Sequence, residues 1–223
     1  MSSRTSPTIL CANHWHDDNR GDSAISEATV TLLRERWPAS NIRIVTLNEP
    51  ISIGAGTVGR HLTMAHPNVL VEPSLVPTEN GSWAGTDSAG TPRSRIMIAM
   101  RGGVWLLRLL PFALGFLVGR VPPRVAKRLA GVDMMVLLGG SDIYDNPSVL
   151  QVLSLARLFT VLYPLWAASE LGIPVVVLGH TIGPLSRPIG RRLTTRLLGL
   201  AQSVVVREST SLALVKALGL RNA

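Results

Sequence analysis

A single cysteine, Cys11, stands in 223 residues. One thiol excludes a disulfide framework and a thiolate zinc site, and it fits a reducing compartment. Aromatic residues make up only 4% of the chain. Stacking platforms for single-stranded nucleic acid are therefore poorly supplied, and nucleic acid is not an expected partner. The start, MSSRTSPTILCANHW, holds one arginine and no long apolar core, so it does not read as a secretory signal. The expected setting is the cytoplasm, with the inner face of the membrane as the alternative station. Acidic residues are also scarce: 14 against 22 Lys and Arg, for a net charge of +8. The basic residues cluster. Arg93, Arg95, Arg101, Arg108, Arg120, Arg124, Lys127 and Arg128 fall in one stretch without an acid, and Arg187 to Arg221 form a second basic stretch. Such a bias suits an anionic small molecule or a membrane surface.

Apolar content is high, 46%, which is enough for a full core. TILCA (8–12) reads as a buried strand, DSAISEATVTLLRERW (22–37) as a helix, and IRIVTL (42–47) as a second strand. The helix is expected to start at a capping Asp22 or Ser23, to turn Ile25, Ala28 and Leu32 inward, and to stop at Pro38. This βαβ unit implies parallel pairing with a right-handed crossover. Residues 48–100 carry no clear pattern, and 72–94, rich in Gly, Ser, Thr and Pro, reads as a long surface loop. GGVWLLRLLPFALGFLVG (102–119) is nearly long enough to span a bilayer, but Arg108 and Pro111 interrupt it. It reads as a buried or half-buried helix, with an interfacial helix and a true membrane span as the rivals.

Beyond residue 130 the alternation resumes. Strands are expected at 133–140, 174–179 and 203–206. Helices are expected at 148–172 (bent or split at Pro164), at 187–201 with a basic outer face, and at 209–219, capped by Ser209 or Thr210 and closed by Gly219. Five strands with intervening helices make an α/β fold: a single domain with a doubly wound, parallel, Rossmann-like sheet.

In such a sheet, ligands bind beyond the carboxyl ends of the strands. Four polar loops lie there: NHWHDDNRGDS, GGSDIYDN, GHTIGPLSR and RESTS. His14 and His16 invite a metal reading, but the hydrolase pattern HxHxDH needs a histidine where Asn19 stands, and no metal is expected. NRGDS opening a helix better suits an anion or a sugar hydroxyl, with Gly21 permitting close approach and Asp22 either bonding a hydroxyl or capping its own helix. Gly139 and Gly140 can let a ligand lie against the backbone. Asp142 and Asp145 are candidate acid/base groups. His180 can donate a proton or bind a carboxylate. Arg207, ahead of a helix N-terminus, can grip a carboxylate or phosphate.

NRGDSAISEATVTLL, VDMMVLLGGSDIYD, GIPVVVLGHTIGPLSRPIGRRL and SVVVRESTSLALVKALGL, in this order, resemble the polysaccharide pyruvyl transferase family. The series G-[HQ]-x-I-G-P, basic helix, V-R-[ED]-x-x-S and L-G-L carries most of the weight. The resemblance implies a GT-B-like architecture and transfer of a pyruvyl group from phosphoenolpyruvate, as co-substrate, onto a glycan or lipid-linked sugar as a ketal. It implies Arg207, Ser211 and Gly183 on the donor side, His180 as the catalytic residue near the donor, and Asn19, Gly21, Asp22, Gly139, Gly140 and Asp142 lining the acceptor side. Family members continue past the L-G-L helix into a second Rossmann-like domain, so a truncated chain, or a partner chain supplying that domain, is a further expectation. The rival readings are a GT-B glycosyltransferase using a nucleotide sugar and a non-catalytic membrane-peripheral domain.

Overall fold

The computed structural model describes residues 6–15, 20–47, 59–79 and 95–223, with the backbone alone over 95–99. Strands β1 (Thr8–His14), β2 (Asn41–Thr46), β3 (Leu70–Glu72), β4 (Met134–Leu138), β5 (Val175–His180) and β6 (Ser203–Val206) form one sheet in the order β3-β2-β1-β4-β5-β6, all pairs parallel. The helices are α1 (Arg20–Arg36), α2 (Arg60–Ala65), α3 (Arg95–Leu117), α4 (Pro123–Leu129), α5 (Gln151–Glu170), α6 (Pro188–Leu198) and α7 (Ser209–Ala217).

The strands are buried on both faces, so they read as continuous apolar runs rather than alternating ones. Successive residues still face opposite ways. Leu10, Ala12, Met135, Leu137, Val175 and Val177 join the large core with α3 to α7. Ile9, Cys11, Ile42, Ile44, Val136 and Leu138 join the smaller core under α1 and α2. This two-sided layering and strand order make the chain a doubly wound Rossmann-like α/β fold. Cys11 lies wholly inside, where burial pushes its thiol pKa up to about 12 and leaves it unreactive.

Several expectations are corrected. A sixth strand, β3, occurs in the stretch that showed no pattern. It is too short for periodicity and is held by ion pairs: Arg43 Nε and Nη2 grip Glu72 at 2.6 and 3.1 Å, and Arg128 Nη2 adds a contact at 3.1 Å. Burial pushes the Glu72 pKa up, but the two guanidinium groups outweigh it and hold the carboxyl below its usual range. Arg128, read above as part of a ligand-binding cluster, is thus committed to Glu72 and to the Ser74 and Pro73 carbonyls. The loop at 72–94 is shorter than expected at its start, since Glu72 ends β3; residues 80–94 lie outside those described. The apolar helix expected at 102–119 begins earlier, at Arg95.

Helix α1 begins at Arg20, so Asp22 and Ser23 sit inside its first turn rather than capping it. Its inward face is Ser23, Ser26, Thr29, Val30 and Leu33, while Ala28 and Leu32 face solvent. Small hydroxyl side chains let the helix lie close to the sheet, where Ser26 Oγ meets His14 Nδ1 at 3.0 Å. Helix α5 runs through Pro164 as one element. Dense packing on both sides sustains it: Phe159, Tyr163 and Trp166 are all buried and ring-packed, with centroids 5.2–5.4 Å apart. Helix α7 is preceded by Glu208 rather than capped by Ser209 or Thr210, and Gly219, with φ of +76°, follows its end as expected.

Candidate functional site

The strand order reverses between β1 and β4, and the crevice beyond their carboxyl ends is where such a sheet takes ligands. Asn13, near the end of β1, has φ of +74°, in the left-handed region that non-glycine residues rarely enter. The β1–β2 register shifts at the same point. Asn13 is held by donating Nδ2–H to the Val161 carbonyl of α5 at 2.9 Å. This twist ends the strand and sends Trp15 toward α5.

Trp15, Glu79, Tyr144, Asn146, Val149, Leu153, Ser154 and Arg157 line a pocket of about 230 Å³ there. Its centre is Arg157. The guanidinium lies 4.5 Å from the Tyr144 ring centroid and 5.9 Å from that of Trp15. It also lies 3.3 Å from Glu79 Oε1 and 3.6 Å from Asp142 Oδ1. One cation thus faces two largely buried carboxylates. Burial pushes Glu79 up to about 7, against the pull of Arg157 and with the push of Asp142. Burial likewise pushes Asp142 up to about 6; Arg157 and Arg207 oppose the rise and Asp22 adds to it. Glu79 Oε2 is buried without a hydrogen-bond partner among the described residues. The pocket therefore offers one carboxyl group, Glu79, that exchanges protons near neutral pH beside two aromatic rings, and a second, Asp142, reaches it through Arg157 without lining it.

The sequence-derived residues divide clearly. Asp22, Gly140, Asp142 and Arg207 converge: a Cβ on Gly140 would stand 2.7 Å from Asp142 Oδ2 and 3.7 Å from Asp22 Oδ1, and Asp142 lies within Coulomb range of Arg207. Gly21 is exposed in the first turn of α1, and Asn19 and His16 lie outside the described residues. Gly139 serves the sheet rather than leaving room for a ligand, because a Cβ there would lie 2.5 Å from the Gly179 carbonyl oxygen. Ser211 is buried and already engaged, accepting from the Ile182 N–H at 2.8 Å and donating to Glu208 Oε1 at 2.9 Å. Gly183 donates its N–H to the Ile143 carbonyl at 2.8 Å and so ties the loop after β5 to the loop after β4. Arg207 is exposed and donates Nε–H to Thr181 Oγ1 at 2.5 Å.

Asp145 belongs to the fold. It is buried and accepts from the Ser186 and Arg187 backbone N–H groups at 3.0 and 2.7 Å and from the Ser186 hydroxyl at 2.6 Å. It thus closes the N-terminus of α6 from a distance. His14 bonds Ser26 inside the small core, and among the described residues no group of three His, Cys, Asp or Glu is gathered as for a metal.

His180 is fully buried, and neither ring nitrogen has a well-formed hydrogen bond among the described residues. Burial, helped by Arg207 and opposed by the Leu137 backbone, lowers its pKa to about 4. The ring is neutral in the fold but protonates below 6.5 once unfolded. Stability is therefore full above pH 6.5 and is lost as pH falls toward 4, by about 3 kcal/mol. The Glu79 and Asp142 carboxyls act the other way, so the test is a difference. The urea stability of a His180→Leu variant relative to wild type should improve by about that amount between pH 7.5 and 4.5. Parallel profiles would show that His180 is not held neutral.

The sequence reading missed Trp15, Glu79, Tyr144 and Arg157. Arg157 left one trace, as the sole charge within the apolar run of α5 before Glu170. Glu79 lies in a stretch whose composition reads only as loop.

The fold and this crevice define a Rossmann-like domain with an acid-bearing pocket beside a basic loop end. The chain belongs to the polysaccharide pyruvyl transferase family, whose model matches residues 19–223. No curated protein matches it. Among solved structures, a similar one is "Crystal structure of TcCGT1 in complex with UDP", at 14% identity and a TM-score of 0.32; the alignment covers 87% of this chain and 32% of that one. This chain therefore spans about a third of that structure's length.

Proposed function

We propose that the protein transfers a pyruvyl group from phosphoenolpyruvate to two hydroxyls of one sugar in a cell-surface polysaccharide or its lipid-linked precursor. Family membership over residues 19–223 carries this reading, and the site chemistry agrees with it. Ketal formation needs one proton at the methylene carbon of the donor. One sugar hydroxyl then attacks the cationic carbon beside it, and a second attacks as phosphate leaves. Two hydroxyl protons are released: one restores the acid and one departs on phosphate.

Arg207 supplies the positive charge for the donor's carboxylate or phosphate. Asp142 feels both Arg157 on the pocket side and Arg207 on the donor side, and its pKa of about 6 suits a group that gives and regains a proton. An incoming trianion raises it further. His180, neutral with one ring N–H, suits holding an anionic oxygen rather than supplying the proton. The pocket suits one sugar ring: aromatic faces for its C–H patches, and Glu79 and Arg157 for its hydroxyls. Its volume of about 230 Å³ is below that of pockets for drug-sized ligands.

Calorimetric titration with phosphoenolpyruvate tests the donor assignment. Arg207→Ala should weaken binding about 10- to 100-fold, the worth of a lost charge-assisted contact. Its unfolding midpoint should barely move, since Arg207 is exposed and its side-chain bond among the described residues is to Thr181. Equal affinity in the two proteins would overturn the role of Arg207. A nucleoside diphosphate that displaced phosphoenolpyruvate would favour a glycosyltransferase instead.

A further inference from the structure

Two helices in the described residues are long and apolar enough to cross a membrane. One, α5, is mostly buried and forms the core. The other differs. Over Met100–Leu117 of α3 the mean hydropathy is 1.3, yet only 17% of the window is buried.

Helix α3 has two unlike faces. Its inner face is aromatic: Trp105 is buried, Phe112 packs edge-on to Tyr163 at 5.6 Å, and Phe116 to Phe159 and Trp166 at 5.5 and 5.2 Å. The opposite face carries Met100, Val104, Leu107, Leu110, Leu114 and Leu117, all exposed, Leu107 by 70% and Leu117 by 75%. At about 100° per residue these fall in one stripe. Arg101 and Arg108, seven apart and exposed, lie along one border of the stripe. Arg120, Arg124 and Lys127 are exposed just beyond the helix, and no acid occurs from Arg95 to Val132.

We infer that α3 lies in the plane of an anionic membrane surface, with the aliphatic stripe in the acyl boundary and the arginines among lipid headgroups. A protein partner fits less well. Protein interfaces are rich in aromatics and carry regular hydrogen bonds, whereas this stripe is aliphatic and its charges are all of one sign. A spanning helix fits less well too. Pro111 leaves the Leu107 carbonyl without its helical donor, which an interface can hydrate and a bilayer core cannot. The packed aromatic face also holds α3 to the domain. Trp105 Nε1–H donates to the Pro77 carbonyl at 3.0 Å, two residues before Glu79, so the docked helix is joined directly to the pocket wall. If the acceptor is lipid-linked, as proposed above, docking brings that wall to the layer holding it.

The test is co-sedimentation of the full chain with vesicles, without donor, so that it stands apart from the pyruvyl reading. Vesicles of phosphatidylcholine with 30% phosphatidylserine should bind the protein at least ten-fold more strongly than phosphatidylcholine alone. The paired variant Leu107→Glu with Leu114→Glu should lose at least ten-fold while unfolding at an unchanged temperature, because both positions are exposed. Arg101→Gln and Arg124→Gln should each cost about five-fold. Wild-type protein left in the supernatant, or an acidic variant that binds as wild type does, would overturn the inference. So would a wild-type dimer that ignores vesicles and that the acidic variant dissociates, which would assign the stripe to a second copy of the chain.

Discussion

Arg157→Met should cost about 3 kcal/mol at pH 8 and only about 1 kcal/mol at pH 5. Methionine keeps most of the stem's volume but removes the cation that faces Glu79 at 3.3 Å and Asp142 at 3.6 Å. Both carboxyls are largely buried, and Arg157 holds both pKa values down against that burial. Without it, both rise above their present values of about 7 and 6. A folded-state acid with a raised pKa costs nothing below the pKa of the unfolded chain, where the group is protonated in either state. The penalty grows as pH rises and is complete above the folded value. The gap between wild type and variant therefore opens through pH 6 to 7 and is widest above pH 8. What remains at pH 5 is the lost stacking on Tyr144 and Trp15. Urea denaturation at pH 5 and 8 measures both numbers. A gap that does not change with pH would mean that the two carboxyls do not depend on Arg157.

The pairing of Arg157 with Glu79 also shows where sequence reading stops. Strands β1, β2, β4, β5 and β6 were legible because parallel strands buried on both faces must be continuous apolar runs, which composition alone reveals. Strand β3 was not, because three residues at a sheet edge are held by the Arg43–Glu72–Arg128 cluster, a contact between distant segments. The inner face of α1 was misread for a related reason. Apolar periodicity assigned Ile25, Ala28 and Leu32, but close approach to the sheet selected Ser23, Ser26 and Thr29, which are small rather than apolar. The site followed the same division. The rule that ligands gather at strand carboxyl ends found the right loops and brought Asp22, Asp142 and Arg207 into one neighbourhood. The pocket itself is made by Trp15, Tyr144, Glu79 and Arg157, which meet only when α5 lies across the ends of β1 and β4. No local spacing encodes that meeting.

Gly139→Ala should destabilise the protein by about 3 kcal/mol or more, lowering the unfolding temperature by roughly 6–12 °C for a domain of this size. The two glycines after β4 look interchangeable in sequence, but their surroundings differ. A Cβ on Gly139 would stand 2.5 Å from the Gly179 carbonyl oxygen, 2.7 Å from that of Leu178 and 2.8 Å from the Gly179 carbonyl carbon. All three are backbone atoms of β5, itself pinned between β4 and β6. Relief requires prying strands apart, with loss of ladder hydrogen bonds. At Gly140 the close atom is Asp142 Oδ2, at 2.7 Å, the far end of a side chain that can swing away. Gly140→Ala should therefore leave the unfolding temperature within a few degrees of wild type while displacing Asp142 from between Arg157 and Arg207. Thermal unfolding of the two variants side by side separates the roles. If Gly139→Ala melts with wild type, the approach of β5 is looser than these distances state. If Gly140→Ala unfolds as readily as Gly139→Ala, that glycine serves the fold rather than the position of the carboxyl group at the centre of the site.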